Sequence, residues 1–347
     1  MRTNLFLKKL RNAGLALFCL ACAGTGLQAA EPSAPLTRVK VVIDNDFCGD
    51  PDGLFQLVHH LLSPSVEVRG ILGSHLSPTG GFTRRTDTAD ESCEKVRQLL
   101  DVMGLSGKYA VYAGSNQPMT DPNVPQDSPA VRFLVEEAMK ATPEKPLYVV
   151  CGASLTDIAS AWLVNPEIGK RVVVVWIGGQ EYAEVGAKPS PGYSAVEYNL
   201  NLSIAAARTV FNQSDLRIWQ VPRNVYRQCI YSLAEMQARV APCGKTGEYL
   251  TRCITDIITE MEGFGLPQGE TYVLGDSPLV LLTALQTPFE PDAASSDYEV
   301  LQAPLIAEDG SYRYNHNGRP IRVYTRVDTR LMFGDMEAKL KLFADGK

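Results

Sequence analysis

The run Val41-Val42-Ile43-Asp44-Asn45-Asp46-Phe47-Cys48-Gly49-Asp50-Pro51-Asp52-Gly53 decides how this chain folds. Its first part is apolar and β-branched, as a strand covered on both faces of a parallel sheet would be. Its second part sets four carboxylates, Asp44, Asp46, Asp50 and Asp52, between that strand and a helical pattern starting at Leu54. In an open α/β sheet, ligands gather beyond the C-terminal ends of the strands, where these side chains would project. Four like charges packed so closely repel one another unless compensated, and a hard divalent cation with oxygen ligands does this best. The plainer alternative is a solvated acidic turn in which Asp50 and Asp52 cap the helix. The buried strand ahead of the cluster favours metal.

Outward from this run the chain alternates strand and helix. Strand patterns cover Val39–Asp44, Val66–Leu72, Tyr109–Tyr112, Leu147–Cys151, Val172–Ile177 and Leu216–Val221. Helical patterns cover Leu54–Leu62, Asp90–Val102, Ala130–Met139, Ile158–Val164 and Ile204–Phe211, with more helix in Ser232–Gly263 and Pro278–Leu285. Tyr298–Tyr324 reads as short strands around an Asn315-His316-Asn317-Gly318 turn. The fold class is therefore α/β, an open, mostly parallel twisted sheet with helices on both faces. No linker, repeat or low-complexity tract divides it, so residues 36–347 are expected to form one domain.

Residues 1–30 are set apart from that domain. Arg2, Lys8, Lys9 and Arg11 precede an apolar run from Ala13 to Gly24, and Ala29-Ala30 offers small residues for cleavage. That is the layout of a signal peptide, so a periplasmic or secreted protein is expected. A lipoprotein anchored through Cys22 is the alternative, although Cys19-Leu20-Ala21 makes a poor lipobox. No later stretch has the length of a membrane span. The chain carries a net charge of −6, and without the leader 29 basic face 39 acidic residues, about −10. Such a surface has little with which to replace phosphate counterions, which excludes nucleic acid as a partner and suits a neutral or cationic small molecule. Six cysteines remain beyond the leader, and their spacing fits neither a zinc site nor a dense disulfide framework. One bridge among Cys229, Cys243 and Cys253 is permitted. Cys48, among carboxylates, should have a raised pKa and make a poor nucleophile.

The opening of the acidic loop resembles that of the inosine–uridine type nucleoside hydrolases, where an apolar strand ends in Asp-x-Asp-Pro-Gly-x-Asp-Asp. Asp44-Asn45-Asp46 matches the start and Asp52 the last aspartate, with one extra residue and Phe47-Cys48 in place of Pro-Gly. Further blocks follow in order. Gly152-Ala153-Ser154-Leu155-Thr156-Asp157 is similar to the family's Gly-Pro-Leu-Thr-Asn, and Trp176-Ile177-Gly178-Gly179 to its Met-Gly-Gly. Val196-Glu197-Tyr198-Asn199 is similar to Glu-Phe-Asn, and Gly275-Asp276 stands in place of a His-Asp pair. The ordered set spans nearly the whole chain beyond the leader.

The resemblance implies Ca²⁺-dependent hydrolysis of the N-glycosidic bond of a ribonucleoside or related riboside. Asp46 would be ligand and general base, with Asp52, Asp276 and the backbone carbonyl of Thr156 completing the protein ligands to calcium. Asp44 and Asp50 would support the loop, and Glu197 and Asn199 would bind ribose. Two apart on an extended segment, Glu197 and Asn199 would point to one face. The family's habit also implies a homo-oligomer. The departures are specific. Glycine replaces the family's histidine at 275, and the asparagines expected near Ser77 and near Pro191 or Gly192 are missing. His75, at a strand end, is the candidate substitute for the missing acid. His59 and His60 read as structural, and Tyr193, Tyr198 and Trp219 as core unless one stacks on a base. Two alternatives stand beside this reading: a catalytically inactive sugar- or nucleoside-binding protein that keeps the calcium site, and a haloacid dehalogenase-type phosphatase. The latter shares Asp44-x-Asp46 and Gly275-Asp276 but lacks the residues that family carries beside them.

Overall fold

Val39–Asn45 forms the first strand, β1, and successive residues of it face opposite ways. Val41 and Ile43 enter one hydrophobic core, Val42 the other. A strand with apolar side chains on both faces must be covered on both, and the helices do this. The computed structural model describes residues 39–77, 83–189, 196–266, 269–286 and 295–347, so the leader and its proposed cleavage site lie outside the described residues, as do Pro191, Gly192 and Tyr193.

The strands that follow are β2 (Val66–Gly73), β3 (Val111–Ala113), β4 (Leu147–Cys151), β5 (Val172–Ile177), β6 (Arg217–Val221), β7 (Ile230–Ser232), β8 (Thr271–Val273), β9 (Ser296–Gln302), β10 (Leu305–Ile306), β11 (Tyr312–Arg313) and β12 (Pro320–Val327). Eight of them make one sheet in the order β3-β2-β1-β4-β5-β6-β12-β9. All neighbours in it are parallel except β12 and β9. The α/β expectation holds. The helices are α1 (Asp52–Leu61), α2 (Thr88–Val102), α3 (Pro129–Met139), α4 (Thr156–Val164), α5 (Tyr198–Leu202), α6 (Ile204–Arg208), α7 (Arg223–Tyr226), α8 (Leu233–Glu235), α9 (Gly244–Gly263), α10 (Pro278–Ala284) and α11 (Thr329–Ala344). α1, α2, α9, α10 and α11 supply side chains to the core containing Ile43, and α3, α4 and α6 to the core containing Val42.

The chain runs from β1 to β2 and β3 on one side, then crosses to β4 on the other. Strand order reverses between β1 and β4, and a crevice opens beyond their C-terminal ends. Gly152 N donates to Asp44 O at 3.0 Å across that seam.

Three details depart from the sequence expectation. The Asn315–Gly318 turn is present, with Gly318 N on Asn315 O, but it joins β11 to β12, which lie in different sheets. It is therefore no hairpin. α11 was not foreseen, though Met332, Phe333, Met336 and Leu340 are buried at helical spacing on it. Cys48, Cys93, Cys151, Cys229, Cys243 and Cys253 are all free, so no bridge forms among the last three. Among the described residues no helix is long and apolar enough to cross a membrane.

Candidate active site

A cleft of about 180 Å³ opens at the switch point. Asp46 and Asp50 come from the β1–α1 loop and Asp52 from the start of α1, while Val273 ends β8 and Gly275 and Asp276 follow it. Gly152, Ile177, Glu197, Tyr198, Asn199 and Tyr226 complete the described lining. Residues 230 positions apart, Asp46 and Asp276, thus line one cleft. No Lys, Arg or His is among the described lining residues.

The carboxylates are in direct communication. Asp276 N donates to Asp52 Oδ2 at 3.1 Å. Asn45 Nδ2 donates to Asp276 Oδ2 at 2.7 Å, while Asn45 Oδ1 accepts from Asp46 N at 2.9 Å. Tyr272 and Asp52 N both donate to Asp50 Oδ1. Burial, and then repulsion from Asp276, holds the Asp46 and Asp52 carboxyls well above the ordinary range. Burial pushes Asp276 up to about 7 and Asp50 to about 6. This cluster resists carrying its full negative charge without a cation.

The donor set suits a hard cation, being all oxygen with no thiolate or imidazole on the lining. Among the described residues, however, no group of three His, Cys, Asp or Glu side chains is closed up in metal-binding geometry. Asp46, Asp52 and Asp276 share a cleft with the right chemistry and are not drawn in around a point.

Glu197 and Asn199 also reach the cleft, by a route other than the extended segment expected of them. Glu197 is the N-cap of α5, taking the N–H groups of Asn199 and Leu200. Gly179 N at 2.7 Å and Tyr226 Oη at 2.7 Å complete four donors to its carboxylate. That satisfies it fully, so Glu197 organises the wall. The Asn199 amide donates to the carbonyls of Gly152 at 2.9 Å and Ile177 at 2.8 Å. With both N–H groups engaged, Asn199 has only Oδ1 left, an acceptor for a ligand hydroxyl. Gly179 is obligatory here: its φ is +88°, and a Cβ would lie 2.2 Å from Gln220 Nε2 and from Tyr312 Oη.

Other expected residues sit elsewhere. Asp44 is buried behind the loop, accepting from the Ser74 hydroxyl, and does not line the cleft. Thr156 does not line it either; the β4–α4 loop presents Gly152. The Thr156 hydroxyl instead meets His75 Nε2 at 2.8 Å, with Ser154 Oγ at 3.2 Å. His75 is fully buried outside the lining, and burial lowers its pKa to about 4. A neutral imidazole tied into that network is a structural group, which removes the support for its acid role. His59 and His60 pin α1 to Asp335 and Thr283 at 2.7 and 2.9 Å. Trp219 is remote from the cleft lining and stacks under Arg322 at 4.4 Å. The Cys48 thiol rises to about 12 as expected, though burial, more than the carboxylates, is the cause.

Sequence reasoning gave no site role to five residues that the fold brings in: Asn45, Gly152, Ile177, Tyr226 and Val273. Asn45 carried a signal, a polar amide between two aspartates just beyond the apolar run Val41–Ile43. Tyr226 carried none.

Residues 41–333 match the inosine-uridine preferring nucleoside hydrolase family. No curated protein matches significantly. Among solved structures, a plant nucleoside hydrolase, PpNRh1, is similar with a TM-score of 0.67 at 17% identity, over 88% of this chain and 99% of its own. A purine-preferring ribonucleoside hydrolase from Gardnerella vaginalis gives 0.65 at 18%, over 89% and 100%. An inosine-uridine preferring nucleoside hydrolase from Bacillus anthracis gives 0.60 at 16%, over 88% and 99%. At such identities the structural likeness speaks for the fold.

Proposed function

This chain belongs to the inosine-uridine preferring nucleoside hydrolase family, hydrolases acting on N-glycosyl compounds, and on that premise we propose that it cleaves ribonucleosides in a Ca²⁺-dependent reaction. The observation that carries the proposal is the cleft itself: Asp46, Asp50, Asp52, Asp276 and Glu197 on one wall system, with no cationic side chain among the described lining residues. Asp46, Asp52 and Asp276 would hold the ion. Bound Ca²⁺ supplies the positive charge that lets these carboxylates ionise together and polarises water and sugar hydroxyls.

The chain's own residues do the rest. Asp46 accepts a proton from the attacking water as its oxygen bonds to the anomeric carbon and the C–N bond breaks. Asn45 fixes Asp46 and Asp276 relative to each other through its two ends. Asn199 accepts from a sugar hydroxyl through Oδ1 and so orients the ring. Ile177, Val273 and the two tyrosines form the uncharged side on which an aromatic base would rest.

The test is reducing-sugar release from a nucleoside panel. Wild type should be active with Ca²⁺, inactive after chelation and restored on adding the ion back. Asp46→Asn should lose at least ~10²-fold, as removal of a general base does. Turnover that ignores both chelation and Asp46→Asn would refute the proposal. Tight nucleoside binding without turnover would favour the inactive binding protein.

A further inference from the structure

Gly275 leaves room for a side chain beside the carboxylates, and that room is taken. A Cβ at 275 would lie 3.2 Å from Cδ2 of Tyr226 and 3.3 Å from Oδ2 of Asp52. The Tyr226 ring and the Asp52 carboxylate therefore flank one point. From there the ring reaches across the cleft, and its hydroxyl donates to Glu197 Oε1 at 2.7 Å. Tyr226 ends the short α7, and this segment is held firmly. Val225 is buried. Arg223 is clamped by both Glu181 oxygens at 2.6 Å and by Gln180 at 3.0 Å.

Breaking an N-glycosidic bond places negative charge on the departing base, which a hydrogen-bond donor stabilises. The described lining offers few side-chain donors. Both N–H groups of Asn199 are engaged by the Gly152 and Ile177 carbonyls. The Tyr198 hydroxyl oxygen is buried, with the Asp46 and Asp50 carboxylates as its charged neighbours. The Tyr226 hydroxyl is also engaged, by Glu197, but through a side-chain acceptor that holds three other donors. Its present acceptor can release it at low cost, because Glu197 keeps the N–H groups of Gly179, Asn199 and Leu200.

We propose that Tyr226 is the residue that receives the leaving base: its ring packs against the base, and its O–H turns from Glu197 to donate a hydrogen bond to it as the C–N bond lengthens. This rests on the nucleoside hydrolase reading above. The position that glycine vacates at 275 is supplied from a different strand end.

The experiment compares Ca²⁺-loaded wild type, Tyr226→Phe and Tyr226→Ala on inosine and on p-nitrophenyl riboside, whose leaving group departs unaided. Tyr226→Phe should lose roughly 10- to 100-fold in kcat/KM on inosine, the worth of a hydrogen bond to a group gaining charge, and less than about threefold on the aryl riboside. Tyr226→Ala should in addition raise KM for inosine, since the ring is gone. An equal loss of Tyr226→Phe on both substrates, or no loss on inosine, overturns the proposal while leaving the hydrolase reading intact. If wild type cleaves neither substrate, the hydrolase reading fails and calorimetry with hypoxanthine decides the rest. Loss of hypoxanthine binding in Tyr226→Ala with Ca²⁺ binding unchanged upholds the base contact; equal binding by both proteins, or by neither, overturns it.

Discussion

Asn45 offers the sharpest test of how the carboxylates are held. It is fully buried at the end of β1. Its amide is wedged between two backbone segments, since Cβ atoms at Gly53 and Gly152 would lie 2.8 and 2.3 Å from Nδ2. It bonds Asp276 Oδ2 at 2.7 Å and accepts from Asp46 N at 2.9 Å, and so joins the two ends of the site. Asn45→Ala removes a buried hydrogen bond to a carboxylate, worth about 1.5–3 kcal/mol when that group is charged, and strands a buried N–H at ~1–3 kcal/mol. Part of this is recovered because Asp276, pushed up to about 7, is partly protonated at neutral pH without metal. The expected net loss is about 3 kcal/mol in urea unfolding of chelated protein. Ca²⁺ affinity should fall ~10–100-fold, as it does when outer partners of metal ligands are removed. Calorimetric titration measures the second effect independently of the first. A variant destabilised to this extent but binding Ca²⁺ like wild type would show that Asn45 merely packs the strand end. Wild-type values for both would refute the reasoning outright.

Three further outcomes are expected. Asp276 and Asp50 have folded-state pKa values raised to about 7 and about 6, above the ordinary carboxylate value of about 4. The stability they contribute without metal is therefore full below pH about 4 and lost as pH rises towards 7. Chelated protein should melt lower at pH 8 than at pH 5.5, and Ca²⁺, which competes with those protons, should raise Tm more at pH 8; a larger calcium shift at pH 5.5 would contradict this. His75→Ala should cost about 1–3 kcal/mol through the unpartnered Thr156 and Ser154 hydroxyls and leave the inosine-to-aryl-riboside rate ratio unchanged, whereas a loss confined to inosine would restore its acid role. The secreted form should begin near Glu31, and N-terminal sequencing of fractionated cells that finds Met1 intact in the cytosol would overturn export.

What could be read before folding, and what could not, separates along a physical line. β5 was legible residue for residue because Val172–Ile177 is buried throughout, and an unbroken apolar run has no other place to go in a parallel sheet. β3 begins two residues and ends one residue later than expected because Val111–Ala113 is only half-buried and its pattern is correspondingly weak. Asp46 and Asp52 were legible from their place after the first strand of the sheet, whereas Asp276 follows β8, which pairs only with β7 outside that sheet, and was expected only from the resemblance. Contacts that depend on where a loop turns were not legible. Gly152 opens the β4–α4 loop and Thr156, four residues on, begins α4; only the path of the chain over Asn45 puts Gly152 on the cleft, while the Thr156 hydroxyl meets His75. Glu197 looked like a sugar ligand, yet four donors already satisfy it. Tyr226 had no pattern at all, because what matters about it is the glycine 49 residues later whose space it fills. A motif read as a string records which residue is missing; which other residue lies against the gap, here Tyr226, is a property of the packed site.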